Sequence, residues 1–211
     1  MIVVTACFRA ETAWIPRLRG VRTIRAPMGE KACGALNRVL NRFETPRLIV
    51  STGFCGGLSP RLRPGVLVLA ERICYHGEVI VVDAKLIERA KEGLSQAKLD
   101  YVTGPIKTSE QVIQNPLEKQ HLWKQGSIAV DMESGPLAQV ARERGIGFLS
   151  LKAVLDPADR TLPFTTGRSL ACSVLFHPLT TLWLSWLSYV AGRAIGRAVP
   201  VATSVLAKGE G

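Results

Sequence analysis

Ile128-Ala129-Val130-Asp131-Met132-Glu133-Ser134 and Gly147-Phe148-Leu149-Ser150-Leu151-Lys152-Ala153-Val154-Leu155-Asp156-Pro157-Ala158-Asp159 decide the reading of this chain, because each is an apolar, strand-like run that ends on acidic side chains. Continuous apolar runs of this kind fit strands buried on both faces. Between them, Gly135 to Gly145 has helical spacing, with Leu137, Val140 and Ala141 on one face and Arg142, Glu143 and Arg144 toward its end. Strand, helix, strand is the unit of α/β folds, whose chemistry gathers at strand ends. A right-handed crossover predicts that the two acidic ends share one rim, about one strand position apart. Taken singly, Glu133 reads as a first-turn acid favoured at a helix N-terminus and Asp156 as a turn residue before proline. The glycine-rich loop upstream shifts the balance toward a site.

The alternation continues outward. Met1 to Ala6 reads as a first strand; it lacks a basic leader and turns polar by Arg9, so it is not read as a secretory signal. Lys31 to Phe43 has helical spacing, Arg47 to Thr52 is a second apolar strand, and Val66 to Ala70 and Ile73 to Val82 are strand-like. Lys85 to Lys98 reads as an amphipathic helix and Tyr101 to Ile106 as another strand. The expected fold is α/β, a single domain with a central mixed β-sheet flanked by helices over residues 1–165, followed by an apolar helical tail with basic flanks over 166–211. Ser169 to Gly192 carries no charged residue and includes Trp183, Trp186 and Tyr189. Against a membrane span stand His177-Pro178 and a polar, small-residue stripe of Thr181, Ser185, Ser188 and Gly192. The first expectation is a helix packed on the domain or a partner subunit, and the second a helix lying in the membrane interface.

The net charge of +10 is unevenly placed. Residues 51–159 balance 13 basic against 13 acidic side chains, whereas residues 1–50 carry 9 against 3 and residues 160–211 carry 5 against 1. A neutral middle argues against a nucleic-acid enzyme, which would place positive charge around its cleft. Anionic membrane surface, or solubility alone, fits basic ends better. The five cysteines, Cys7, Cys33, Cys55, Cys74 and Cys172, are odd in number and contain no Cys-x-x-Cys, so they read as thiols in a reducing cytoplasm. His76, His121 and His177 have no metal-ligand spacing, and no metal is expected.

Ser51-Thr52-Gly53-Phe54-Cys55-Gly56-Gly57-Leu58-Ser59-Pro60 follows a buried strand, and its glycines let backbone amides approach a ligand closely. It is neither a Walker loop nor a dinucleotide fingerprint. Together with Met132-Glu133 and Asp156-x-x-Asp159, in this order, it resembles the purine nucleoside phosphorylase and nucleosidase superfamily. The wording Asp131-Met132-Glu133-Ser134-Gly135, the stretch 156–163 and the apolar tail look most like the hopanoid-associated phosphorylases. The resemblance implies cleavage of an N-glycosidic bond. Asp156 would supply the proton of the leaving base, its pKa raised by burial beside other carboxylates. Glu133 would accept hydrogen bonds from the ribose hydroxyls, Met132 would pack under the sugar, and Glu11 would orient an attacking water. Thr52, Gly53 and Phe54 would line the sugar end, and Val112 and Ile113 the purine.

The chain also departs from that family. Phe54 stands where phosphorylases hold a phosphate-binding serine, Ser51 where they hold an arginine, and the amino-terminal Gly-Asp-Pro-x-Arg arm is missing. Arg9, Arg22 and Arg25 are not fixed to phosphate by any motif. These residues favour water as nucleophile, with no cofactor and inorganic phosphate as the alternative co-substrate. Phe54 also points to an apolar 5′ substituent. The leading expectation is an enzyme releasing adenine from a 5′-modified adenosine, adenosylhopane in hopanoid side-chain synthesis, acting in the cytoplasm or peripherally on the inner membrane. The partners expected are a small-molecule nucleoside, lipid-linked in that case, and a second copy of the chain in a homo-oligomer, with a dimer favoured. The alternatives are a methylthioadenosine/adenosylhomocysteine nucleosidase and a catalytically inactive membrane-associated scaffold of the same fold.

Overall fold

Strand β3 (Leu48–Gly57) organises the molecule. The computed structural model describes residues 1–161 and 178–207, so the last two residues of the stretch 156–163, Ser169, Cys172, His177 and the side chains of Pro178 and Thr181 lie outside the described residues. Along β3, β1 (Ile2–Ala6) pairs in parallel on one side, with Val4 opposite Val50. On the other side β8 (Gly147–Asp156) runs parallel to it from Leu48 opposite Gly147 to Gly56 opposite Asp156. The last residues of β3, Gly56 and Gly57, pair antiparallel with β7 (Ala129–Asp131). Every residue of β1 is buried, as expected of a strand covered on both faces.

The remaining strands close a ring. β8 pairs antiparallel with β4 (Leu67–Tyr75), β4 pairs in parallel with β6 (Tyr101–Thr108), and β6 pairs in parallel with β7, which returns to β3. Two edge strands flank this barrel-like core: β2 (Val21–Arg25) on β1 and β5 (Glu78–Val81) on β4. Helices cover the sheet. α2 (Lys31–Arg42) packs on α5 (Ser134–Glu143), and α3 (Ala84–Gln96) packs on the C-terminal helix α6 (Pro178–Ala207). Asp83 caps α3 by accepting the Lys85 N–H at 2.8 Å. Two short helices complete the described residues, α1 (Arg9–Thr12) and α4 (Pro116–Lys124), the latter started by Asn115, which accepts the Leu117 N–H at 2.9 Å, and by proline at its first turn.

The expected α/β class with a central mixed sheet is what the chain adopts, with several local differences. The glycine-rich loop is not a turn: residues 51–57 continue β3 as extended chain. β7 and β8 are not parallel neighbours of one crossover, since β7 is antiparallel to β3 and β8 parallel to it. The stretch 73–82 is split by a turn at His76 and Gly77, both with positive φ, into β4 and β5. Within the small-residue stripe of α6, Ser185 is exposed and Ser188 half-buried. Gly192 is buried, and a Cβ there would collide with the Trp14 indole, so the glycine admits the ring; Leu182, Trp186 and Tyr189 face outward. The inner face of α6 supplies Ala191, Ile195, Ala198, Val199 and Ala202 to the core. Among the described residues no helix is long and apolar enough to cross a membrane.

Candidate active site

Glu11 is buried at the start of α1, where its position follows from capping. Its Oε2 accepts the backbone N–H of Cys7 at 2.7 Å and of Phe8 at 2.8 Å, a reach back to the helix start that closes the turn after β1. Oε1 accepts the Phe54 N–H at 2.8 Å from β3. Gly53 makes room for this contact: its φ is +124°, and a Cβ would lie 2.7 Å from Glu11 Oε1. Burial pushes the carboxyl of Glu11 up, while the Phe8, Phe54 and Cys7 amides and the Lys152 ammonium pull it back down. A carboxylate with a raised pKa, held by three amides, is well made to take a proton from water.

The second cluster surrounds Lys152, in the middle of β8 and 1% exposed. Its Nζ lies 3.0 Å from Asp131 Oδ2 and 3.7 Å from Glu133 Oε2, and donates to the Thr52 carbonyl at 3.3 Å. Asp131 is satisfied on both oxygens, by Thr108 Oγ1 at 2.8 Å and by the Ser134 N–H and hydroxyl at 3.0 and 2.5 Å. Burial opposes the charge on Lys152, yet Asp131, Glu133 and Glu11 together hold the ammonium above the ordinary lysine range. Glu133 is the less satisfied carboxylate. Burial, Asp131 and Glu11 raise its pKa to about 7 against the pull of Lys152. An acceptor so placed is suited to hydroxyl groups of a ligand that can replace lost water.

Asp156 ends β8, 3% exposed, with its carboxylate above the backbone of Gly56. Its neighbour is a cation and not another carboxylate, contrary to the expectation from sequence. Lys119 of α4, fully buried, bonds Asp156 Oδ2 and donates to the carbonyls of Pro157 at 2.9 Å and Arg160 at 3.1 Å. Burial nevertheless holds the Asp156 carboxyl above its usual range, with Lys119 acting in the opposite direction. Beside the Pro157–Arg160 turn opens a cleft of about 610 Å³, walled by Leu58, Pro64, Leu117 and Trp123.

The sequence family can be placed against this geometry. The profile of the phosphorylase superfamily matches residues 18–169, well over half of the chain. The chain belongs to the phosphorylase superfamily. The expectation of an enzyme of the nucleoside phosphorylase and nucleosidase type stands with it. Solved structures with the same fold include the futalosine hydrolase of Helicobacter pylori, at 15% identity and a TM-score of 0.76 over 96% of this chain and 97% of that one. A point mutant of Helicobacter pylori MTAN with 5′-methylthioadenosine in its active site gives 14% identity and a TM-score of 0.77 over 96% and 97%. The Neisseria meningitidis 5′-methylthioadenosine/S-adenosylhomocysteine nucleosidase with methylthio-immucillin-A gives 17% and 0.77 over the same shares. At these identities the likeness establishes the fold.

Within this phosphorylase-superfamily chain, β3 carries the sequence-predicted residues in a row. Thr52 is buried, its hydroxyl donating to the Leu151 carbonyl at 2.8 Å, so it braces β8 and its side chain is already engaged. Gly53 and Phe54 meet Glu11, and Gly56 meets Asp156. Met132, half-buried, sits between Asp131 and Glu133 in the bend that leads into α5. Val112 and Ile113 lie in the loop between β6 and α4, Val112 exposed and Ile113 half-buried. Sequence reasoning misses Lys152 and Lys119. A lysine inside the apolar run Leu149 to Leu155 is a readable signal for the first; nothing in the pattern of 116–124 marks the second. Among the described residues no cluster of three or more His, Cys, Asp and Glu side chains could hold a metal ion.

Proposed function

We propose that the protein cleaves the N-glycosidic bond of a 5′-modified adenosine and releases adenine, with water as nucleophile. The observation that carries this reading is the spacing of two buried carboxylates along one strand. Glu11 sits over Gly53 and Asp156 over Gly56, three residues further on, with about 10 Å of strand between the two glycines at the usual rise. In this reading the ribosyl group lies between the two carboxylates, with the base at the Asp156 end and the attacking water at the Glu11 end. In the reaction the C1′–N9 bond breaks and its electron pair enters the purine, whose N7 takes a proton from Asp156. Water bonds to C1′ and gives its proton to Glu11. Glu133, facing the sugar, accepts its hydroxyls. All of these residues fall within 1–165, the catalytic unit on which the tail packs.

Water is preferred to phosphate because Lys152, the buried cation of the cluster, is already bonded to Asp131 and Glu133, and because no motif fixes Arg9, Arg22 or Arg25 to phosphate. The 5′ substituent is apolar and lipid-linked in this reading, as in adenosylhopane: Phe8 and Phe54 both bond Glu11 through their amides, and Phe8 is 46% exposed. The outward residues Leu182, Trp186 and Tyr189 of α6, with the basic ends of the chain, would bring the enzyme to an anionic membrane surface. Methylthioadenosine is the second substrate reading, supported by the nucleosidases that share the fold. Replacing Asp156 with Ala tests the mechanism: adenine release should be lost, and unchanged turnover would remove Asp156 from the leaving-group role.

A further inference from the structure

Lys119 is the most completely buried charge in α4 and the reason that short helix is anchored. Its three ammonium protons have three acceptors: Asp156 Oδ2 and the Pro157 and Arg160 carbonyls. A buried lysine is a costly way to pin a turn, since apolar side chains of similar size do so without desolvating a charge. Among the described residues, no other group around Asp156 offers it a counter-charge. From α4, Glu118, His121 and Lys124 are exposed; from its own turn, the side chains of Asp159 and Arg160 are exposed; from β3 come the Gly56 backbone and the Cys55 thiol, which burial keeps protonated. Asp131 and Lys152, which also act on Cys55, neutralise each other.

We infer that Lys119 is a positioning residue that acts through Asp156: it occupies Oδ2, holds the carboxyl above the Gly56 backbone, and biases that carboxyl's release of its proton. This rests on the reading of Asp156 as the group that faces the departing base. Burial favours the protonated acid and the ammonium favours its carboxylate, so Lys119 eases the transfer of the proton to N7. Proton balance is kept within the pair. The proton passed to N7 leaves Asp156 as a carboxylate beside the Lys119 ammonium, the state the ion pair stabilises.

The test is the titration of the Asp156 carboxyl followed by carbon NMR in aspartate-labelled protein, its resonance assigned with Asp156→Asn. Removing the charge by Lys119→Met or Lys119→Gln should raise the midpoint by about 1–3 pH units, and Lys119→Arg should restore it. Gln keeps hydrogen-bond donors for the turn, so the charge is tested even where Met unfolds the protein. A midpoint unchanged in the folded Gln variant would overturn the assignment, because a purely structural lysine would leave it in place. Adding adenine separates this from the parent reading. An Asp156 signal that depends on residue 119 but ignores adenine would sink the base-facing role of Asp156 while leaving its coupling to Lys119 intact.

Discussion

Glu11 and Gly53 are matched to each other: the carboxylate oxygen that accepts the Phe54 amide lies where a side chain at residue 53 would begin, 2.7 Å from the ideal Cβ position. The fit makes the glycine a determinant of the carboxylate's place and not merely of chain flexibility. Gly53→Ala should therefore displace Glu11 as well as strain a backbone at φ +124°. A drop in turnover of about 100-fold or more is expected, since a misplacement near 1 Å costs this much. Thermal unfolding should also show a loss of about 2–3 kcal/mol. Wild-type turnover in the Ala variant would separate Glu11 from the chemistry.

Lys152 balances Asp131 and Glu133 in the interior, so removing it leaves two buried carboxylates without a cation. Lys152→Met should destabilise the fold by about 3–5 kcal/mol at neutral pH. The loss should shrink on acidification, as the carboxyls take up protons in the folded state. Denaturant unfolding at neutral and acidic pH reads both effects, and a penalty independent of pH would contradict the charge-balance account.

Glu133 gives the free protein a pH dependence of definite sign. Its pKa rises from 4.5 to about 7 on folding, so between these values the folded state binds more protons than the unfolded one. The group's stabilising contribution is complete below pH 4.5 and is lost as pH rises toward 7. Glu11 and Asp156 shift in the same direction. Across that window stability should fall by roughly 2 kcal/mol more in the wild type than in Glu133→Gln. Parallel stability curves for the two proteins would show that Glu133 is not the titrating group.

Much of this arrangement is legible in the sequence because the central strands are buried on both faces and spell continuous apolar runs. β1, β3 and β8 are readable on that ground, and α5 from Leu137, Val140 and Ala141. β2 is not, since an edge strand of sequence Val-Arg-Thr-Ile-Arg has no apolar face to betray it. α4 escapes for a related reason: its one fully buried residue is Lys119, so the periodicity that marks a helix is carried by a charge. The site residues come from ordered motifs, but motifs name side chains and not their partners. Neither the Lys119 contact with Asp156 nor the antiparallel entry of β7 can be inferred from spacing, because both depend on the closed ring of strands.

The central claim is adenine release, and mass spectrometry of products from adenosylhopane and from methylthioadenosine, each with and without phosphate, tests it most directly. The account predicts free adenine from the hopanoid nucleoside, formed equally well without phosphate and accompanied by the hydrolysed sugar. Adenine that appears only with phosphate, together with a ribosyl phosphate, would contradict the water mechanism; no adenine from either substrate would contradict the proposed activity itself.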